Sequence, residues 1–164
     1  METYIGVISE VLDKDLAHIQ ITITTTNDDL SLTYENATVP SKRIEAIEKL
    51  WKLWYDVQII LSPYIPQYVE IEKINNIQCD KIIVEFLRIN GWIKKWFPLD
   101  YSKWTLNEWW YNHLPLEEKI RLISKIKKPQ ISVCEDVKSH YDYRNQNLNY
   151  NPKDCCNLRN SPIK

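Results

Sequence analysis

Glycine is nearly missing from this sequence: its 164 residues contain only Gly6 and Gly91. Loops that cradle phosphates need several glycines, because only a backbone without Cβ can turn left-handed and approach a ligand closely. Two glycines therefore argue against P-loop, dinucleotide-binding and kinase-like sites. Turn chemistry must come from other residues, as in the Asn27-Asp28-Asp29 run, whose side chains tolerate tight turns.

Aliphatic and aromatic residues make up 44% of the chain, enough for a core, and the formal net charge is −1. That balance gives no overall attraction to nucleic acid or membrane. The charge is unevenly placed, however. Residues 1–78 hold 6 Lys/Arg against 12 Asp/Glu, whereas residues 79–128 hold 10 against 6. An acidic front is joined to a basic middle. The N-terminal run METYIGVISE has neither a basic segment nor a long apolar one, and the four cysteines form no secretory framework. No apolar run approaches the roughly 18–20 residues that span a bilayer. A cytoplasmic protein without a membrane partner is expected.

Residues 4–12 are rich in β-branched side chains. Residues 17–26 alternate, with Ile19, Ile21 and Ile23 on one face and Gln20, Thr22 and Thr24 on the other. Leu30, Leu32 and Tyr34 resume the alternation, so three strands are expected here. Ser41 then suits an N-cap, and Ile44, Ile47, Trp51 and Trp54 form a helical stripe. Two further strands are expected over residues 57–61 and 67–74, separated by the prolines of Ser62-Pro63-Tyr64-Ile65-Pro66.

Three strands, one helix and two strands, over residues 3–76, is an element order that resembles an OB-fold. Small mixed α+β sheets share it. The expected fold class is therefore α+β: a small five-stranded OB-like β-barrel or curved sheet in residues 1–77. A Trp-rich basic helical domain is expected in 78–128, and an irregular or disordered tail in 129–164.

In the middle part, Asp80 can cap a helix through residues 81–90, with Ile82, Ile83, Phe86 and Leu87 as its apolar stripe and Gly91 as its stop. Thr105 and Glu108 match a capping box, which predicts a short helix from Leu106. Pro115 opens a third helix over 116–128, with Glu117 and Glu118 at its start and Lys125, Lys127 and Lys128 at its end.

All seven tryptophans lie between residues 51 and 110. The plainest use of so much indole is as a seam between barrel and helices, since an aromatic residue buries roughly 150–250 Å². The functional reading is that Trp92, Trp96, Trp104, Trp109 and Trp110 stay partly open beside Lys94, Lys95 and Lys103. Tryptophan is enriched at interaction hot spots, and indoles beside lysine also suit single-stranded nucleic acid.

The three histidines, His18, His113 and His140, show no carboxylate partner at helical or strand spacing. The one metal-like set, Cys134, His140, Cys155 and Cys156, lacks the paired knuckle spacing of a zinc site. Neither cofactor nor metal is expected, and no catalytic arrangement is legible. The expectation is a non-enzymatic protein–protein interaction module, acting as an adaptor, inhibitor or subunit, with a protein partner or self-association. The alternative is single-stranded nucleic-acid binding through residues 92–110.

Overall fold

In the computed structural model, which describes residues 11–148, the run of alternating isoleucines is a strand as expected, and the strand it pairs with runs parallel to it. The chain runs β1 (His18–Ile23), α1 (Asp28–Ser31), α2 (Pro40–Lys52), β2 (Asp56–Tyr64), α3 (Ile71–Asn76), β3 (Lys81–Phe86) and α4 (Ile93–Trp96). It continues with β4 (Leu106–Glu108), β5 (Tyr111–His113), α5 (Leu116–Ile123), β6 (Gln130–Cys134) and α6 (Lys138–Asn147). β1, β2, β3 and β6 form one sheet in that order, every pairing parallel. β4 and β5 form a separate antiparallel hairpin.

The register aligns Ile21 with Ile59, Ile59 with Ile82, and Ile82 with Ile131. One sheet face is thus a continuous apolar surface. Right-handed crossovers between strands in sequential order put every crossover helix on the same side. Core membership agrees: Ala46, Ile47 and Leu50 of α2, Ile74 of α3, and Leu122 and Ile123 of α5 join Ile23, Ile59, Val84 and Val133 in one cluster. The same succession, continued through eight units, is that of a β/α barrel. Among the described residues it forms a four-stranded sheet.

The opposite face is polar, which is unusual for a parallel sheet. His18, Gln20, Thr22, Asp56, Gln58, Lys81, Glu85 and Ser132 alternate with the apolar set. Ile83 is buried on this face yet stands outside the main cluster. His18, for which the sequence spacing offers no carboxylate partner, lies 2.7 Å from Asp56, whose other oxygen accepts from Lys81 at 2.7 Å.

The five-stranded OB-like barrel is therefore corrected to an α+β fold built on a parallel sheet. Period-two alternation identifies a half-buried strand but not its partner's direction. Residues 4–10 of the first expected strand lie outside the described residues. The strand expected over 30–34 is overturned by Asn27, which acts as an N-cap: its Oδ1 accepts from the Leu30 N–H at 3.0 Å and starts α1. The strand expected over 67–74 is replaced by a turn and α3. Tyr68 there takes hydrogen bonds on its carbonyl from Thr25 Oγ1 (2.6 Å) and the Thr26 N–H (3.2 Å).

The helix expected over 81–90 is β3. A continuous apolar run such as Ile82-Ile83-Val84 is the pattern of a parallel strand buried on both faces. Its β-branched content is the cue that decides for strand. The tail expected to be irregular contributes β6 and α6 within its described part. The helix expected over 116–128 is α5, ending at Ile123.

Candidate functional site

The segment between β3 and α5 holds the residues that the sequence singles out, and it is an insertion at the carboxyl ends of the strands. The structure anchors it firmly. The Ile89 N–H donates to the Asn112 carbonyl at 3.0 Å, and the Asn112 N–H returns to Ile89 at 2.8 Å. Trp104 is 3% exposed, and its indole N–H donates to the Leu87 carbonyl at 2.9 Å. Its ring meets Tyr101 edge-to-face at 5.6 Å. Trp104 is thus the pin of this segment and belongs to the core, although sequence left it open to a partner.

Trp92 and Trp96 bracket α4, and both are exposed. Asn90 Oδ1 accepts from the Trp92 and Ile93 N–H groups at 2.9 and 3.0 Å and starts the turn. Lys95 lies over the Trp92 ring at 4.6 Å and Lys94 over the Tyr101 ring at 5.5 Å, both cation–π contacts. Lys103 pairs with Glu118 at 2.8 Å. The three lysines thus keep company with aromatic or acidic side chains of the segment itself.

Trp109 and Trp110 are not on a helix. The capping box read at Thr105 and Glu108 is overturned, because Leu106–Glu108 pairs with Tyr111–His113 and leaves a two-residue turn. Both turn residues have positive φ, 52° at Trp109 and 69° at Trp110. That is the signature of a type I′ hairpin, whose usual residues are Asn and Gly. The indoles are 69% and 91% exposed. Asn107 Nδ2 donates to Asn112 Oδ1 at 2.8 Å beneath them. Most of the tryptophan is therefore not seam: Trp54, Trp92, Trp96, Trp109 and Trp110 are exposed, Trp51 is half-buried, and Trp104 alone among the described residues is fully buried.

A second constellation sits where β6 ends. Lys119 and Arg144 are each 1% exposed, and both reach Glu135 Oε2 at 2.5 Å. Lys119 Nζ also lies 3.1 Å from His140 Nδ1. Burial works to raise the Glu135 carboxyl, but the His140 ring and the Arg144 and Lys119 cations hold it well below the usual range. Burial pulls the Lys119 ammonium down, against the pull of Glu135. Sequence reasoning missed this cluster because its members come from α5, the β6 end and α6, with no shared spacing.

His113, Glu135 and Asp136 bring three potential ligand atoms within 4.8 Å of one another. The donor set suits a metal poorly. Glu135 already holds Lys119 and Arg144, and Asp136 accepts from Arg88 at 2.8 Å. A cation there would have to displace resident cations. Of the metal-like set weighed from sequence, Cys134 and His140 lie at the end of β6 and within α6, while Cys155 and Cys156 lie outside the described residues.

No family model, curated protein or solved structure matches the chain. No helix among the described residues is long and apolar enough to cross a membrane.

Proposed function

We propose that the chain is a non-enzymatic binding module that engages a protein, another chain or a second copy of itself, through the tryptophan hairpin. The observation that carries this reading is the Trp109-Trp110 turn. A left-handed conformation costs an L-residue with a Cβ roughly 1–2 kcal/mol, and exposing two indoles forgoes their burial. Neither the turn nor the core gains by it, since Asn-Gly would close the same hairpin without strain. A rigid strand pair that presents two large amphipathic rings has the build of a hot-spot anchor. The titratable groups near the strand ends pair with one another, which favours binding over catalysis.

Single-stranded nucleic acid is the second reading, supported by Lys94 and Lys95 beside Trp92 and Trp96. The hairpin itself speaks against it: Glu108 flanks the turn, and no basic residue lies between Leu106 and His113.

The test replaces Trp109-Trp110 by Asn-Gly in the full chain. Wild-type protein should co-purify with a stoichiometric partner or self-associate on a sizing column. The variant should elute alone with an unchanged or higher thermal midpoint. A wild-type chain that stays monomeric and partnerless would sink the proposal. Tryptophan quenching by single-stranded DNA at low salt, lost at high salt, would move the assignment to nucleic acid.

A further inference from the structure

At the amino-terminal end of the strands, opposite the hairpin, lies a cleft of about 590 Å³. Its walls are the end of α2, the connection into β3 and the connection into β6. The volume is in the range of sites for small organic ligands, roughly 300–1,000 Å³.

The end of α2 is built unusually. The Tyr55 N–H bonds to the Leu50 carbonyl at 3.1 Å and the Trp54 N–H to the Trp51 carbonyl at 2.9 Å. This is the Schellman arrangement, whose left-handed position is ordinarily glycine. Here it is Trp54, with φ of 65° and 82% exposed. Its ring meets Trp51 at 6.4 Å and 61°, and both rings line the cleft. The helix would end more comfortably on glycine, so the fold does not account for the indole.

Lys52, Lys127 and Lys128 also line the cleft, with Asp80 as an acid in the same wall. Lys128 is buried and donates to the Asn75 carbonyl at 3.1 Å and to the Ile77 carbonyl. Its contacts are thus carbonyls rather than a carboxylate. Among the described residues, Lys127 Nζ makes a loose 3.9 Å approach to Glu72, both side chains being exposed. Glu48, nearby, accepts from the Gln78 N–H at 3.2 Å.

We propose that this cleft binds a planar aromatic anion of mononucleotide size, its ring against Trp54 and Trp51 and its charge met by Lys52, Lys127 and Lys128. The site is separate from the hairpin and does not depend on the role given to it.

Calorimetric titration of the full chain tests the proposal with adenosine monophosphate, 1-naphthalenesulfonate, adenosine and inorganic phosphate as separate arms. Both aromatic anions should bind one saturable site, adenosine at least tenfold more weakly, and phosphate without measurable heat. Trp54→Gly should lower affinity for both anions at least tenfold while its thermal midpoint stays level or rises, so lost binding cannot be blamed on lost folding. Lys127→Gln should weaken adenosine monophosphate several-fold and leave adenosine unchanged. The hairpin variant should bind as wild type does. Absence of binding by either aromatic anion at millimolar concentration, full affinity in Trp54→Gly, or phosphate binding as well as the nucleotide would each overturn the assignment.

Discussion

At Trp54, Trp109 and Trp110 the backbone turns left-handed, with φ of 65°, 52° and 69°, and each indole stands in solvent. The sequence carries few glycines, and these three positions are where their absence is felt most. Each residue stores roughly 1–2 kcal/mol of conformational cost. Trp109→Asn with Trp110→Gly, and separately Trp54→Gly, should therefore raise the thermal midpoint, by about 2–4 °C per kcal/mol recovered in a chain of this size. A fall in midpoint on thermal unfolding would show that the indoles support the fold. These sites were half legible: the tryptophans were conspicuous, but Thr105 and Glu108 imitate a helix start, and nothing in Trp-Trp announces a turn. Glu118 adds a pH effect at the same scale. Hydrogen bonds from Arg121 and Lys103 pull its carboxyl from the ordinary 4.5 down to about 2. The folded value lies below the unfolded one, so its stabilisation is complete above about pH 4.5 and is lost as pH falls toward 2. Denaturation midpoints across that window should fall less steeply with acid in Glu118→Gln than in the wild type.

Among the elements, α6 is held in an unusual way. Its residues, Lys138–Asn147, include no aliphatic side chain, and the two that are buried are His140 and Arg144. One turn apart, they face Glu135 and Lys119, and Arg144 also lies 5.9 Å from the Phe86 ring. The helix is fastened by charge where α2 and α5 are fastened by isoleucine and leucine. Glu135→Gln would leave two buried cations without their carboxylate, a loss of about 3–5 kcal/mol. Hydrogen-exchange mass spectrometry should then show α6 amides exchanging at least tenfold faster while β2 and β3 stay protected. Uniform loosening of sheet and helix together would refute a local role. This also explains why α6 was not foreseen. Apolar periodicity is the usual signal of a helix, and a polar-docked helix has none. By contrast β1 and α2 were legible because both bury one regular apolar face, and β3 was misread because a run buried on both sides has no period to read.

For the molecule as a whole, stability rests on the face shared by the sheet and its helices. Ile59, on the central strand β2 and 0% exposed, belongs to that face, while Thr22 on β1 points to the other. Ile59→Ala should cost about 2–5 kcal/mol and Thr22→Ala no more than about 0.5 kcal/mol, as read from urea unfolding midpoints. Equal effects would mean that the two faces are not so different. The fold class was visible in part, since strands and helices are both present, but the parallel arrangement was hidden. Direction of pairing is decided by what connects two strands, and α2, α3 and α5 had to be recognised as crossovers first. In doubly wound sheets the order reverses midway, and the reversal opens a crevice that ligands occupy. Among the described residues this sheet never reverses. Loss or duplication of a strand–helix unit at an edge would leave every other neighbour where it was, and a segment spliced between units, as the hairpin is, settles at the rim without breaking a ladder. The plan tolerates changes of length and of ornament, and its recognition surfaces are free to differ while the sheet beneath them stays the same.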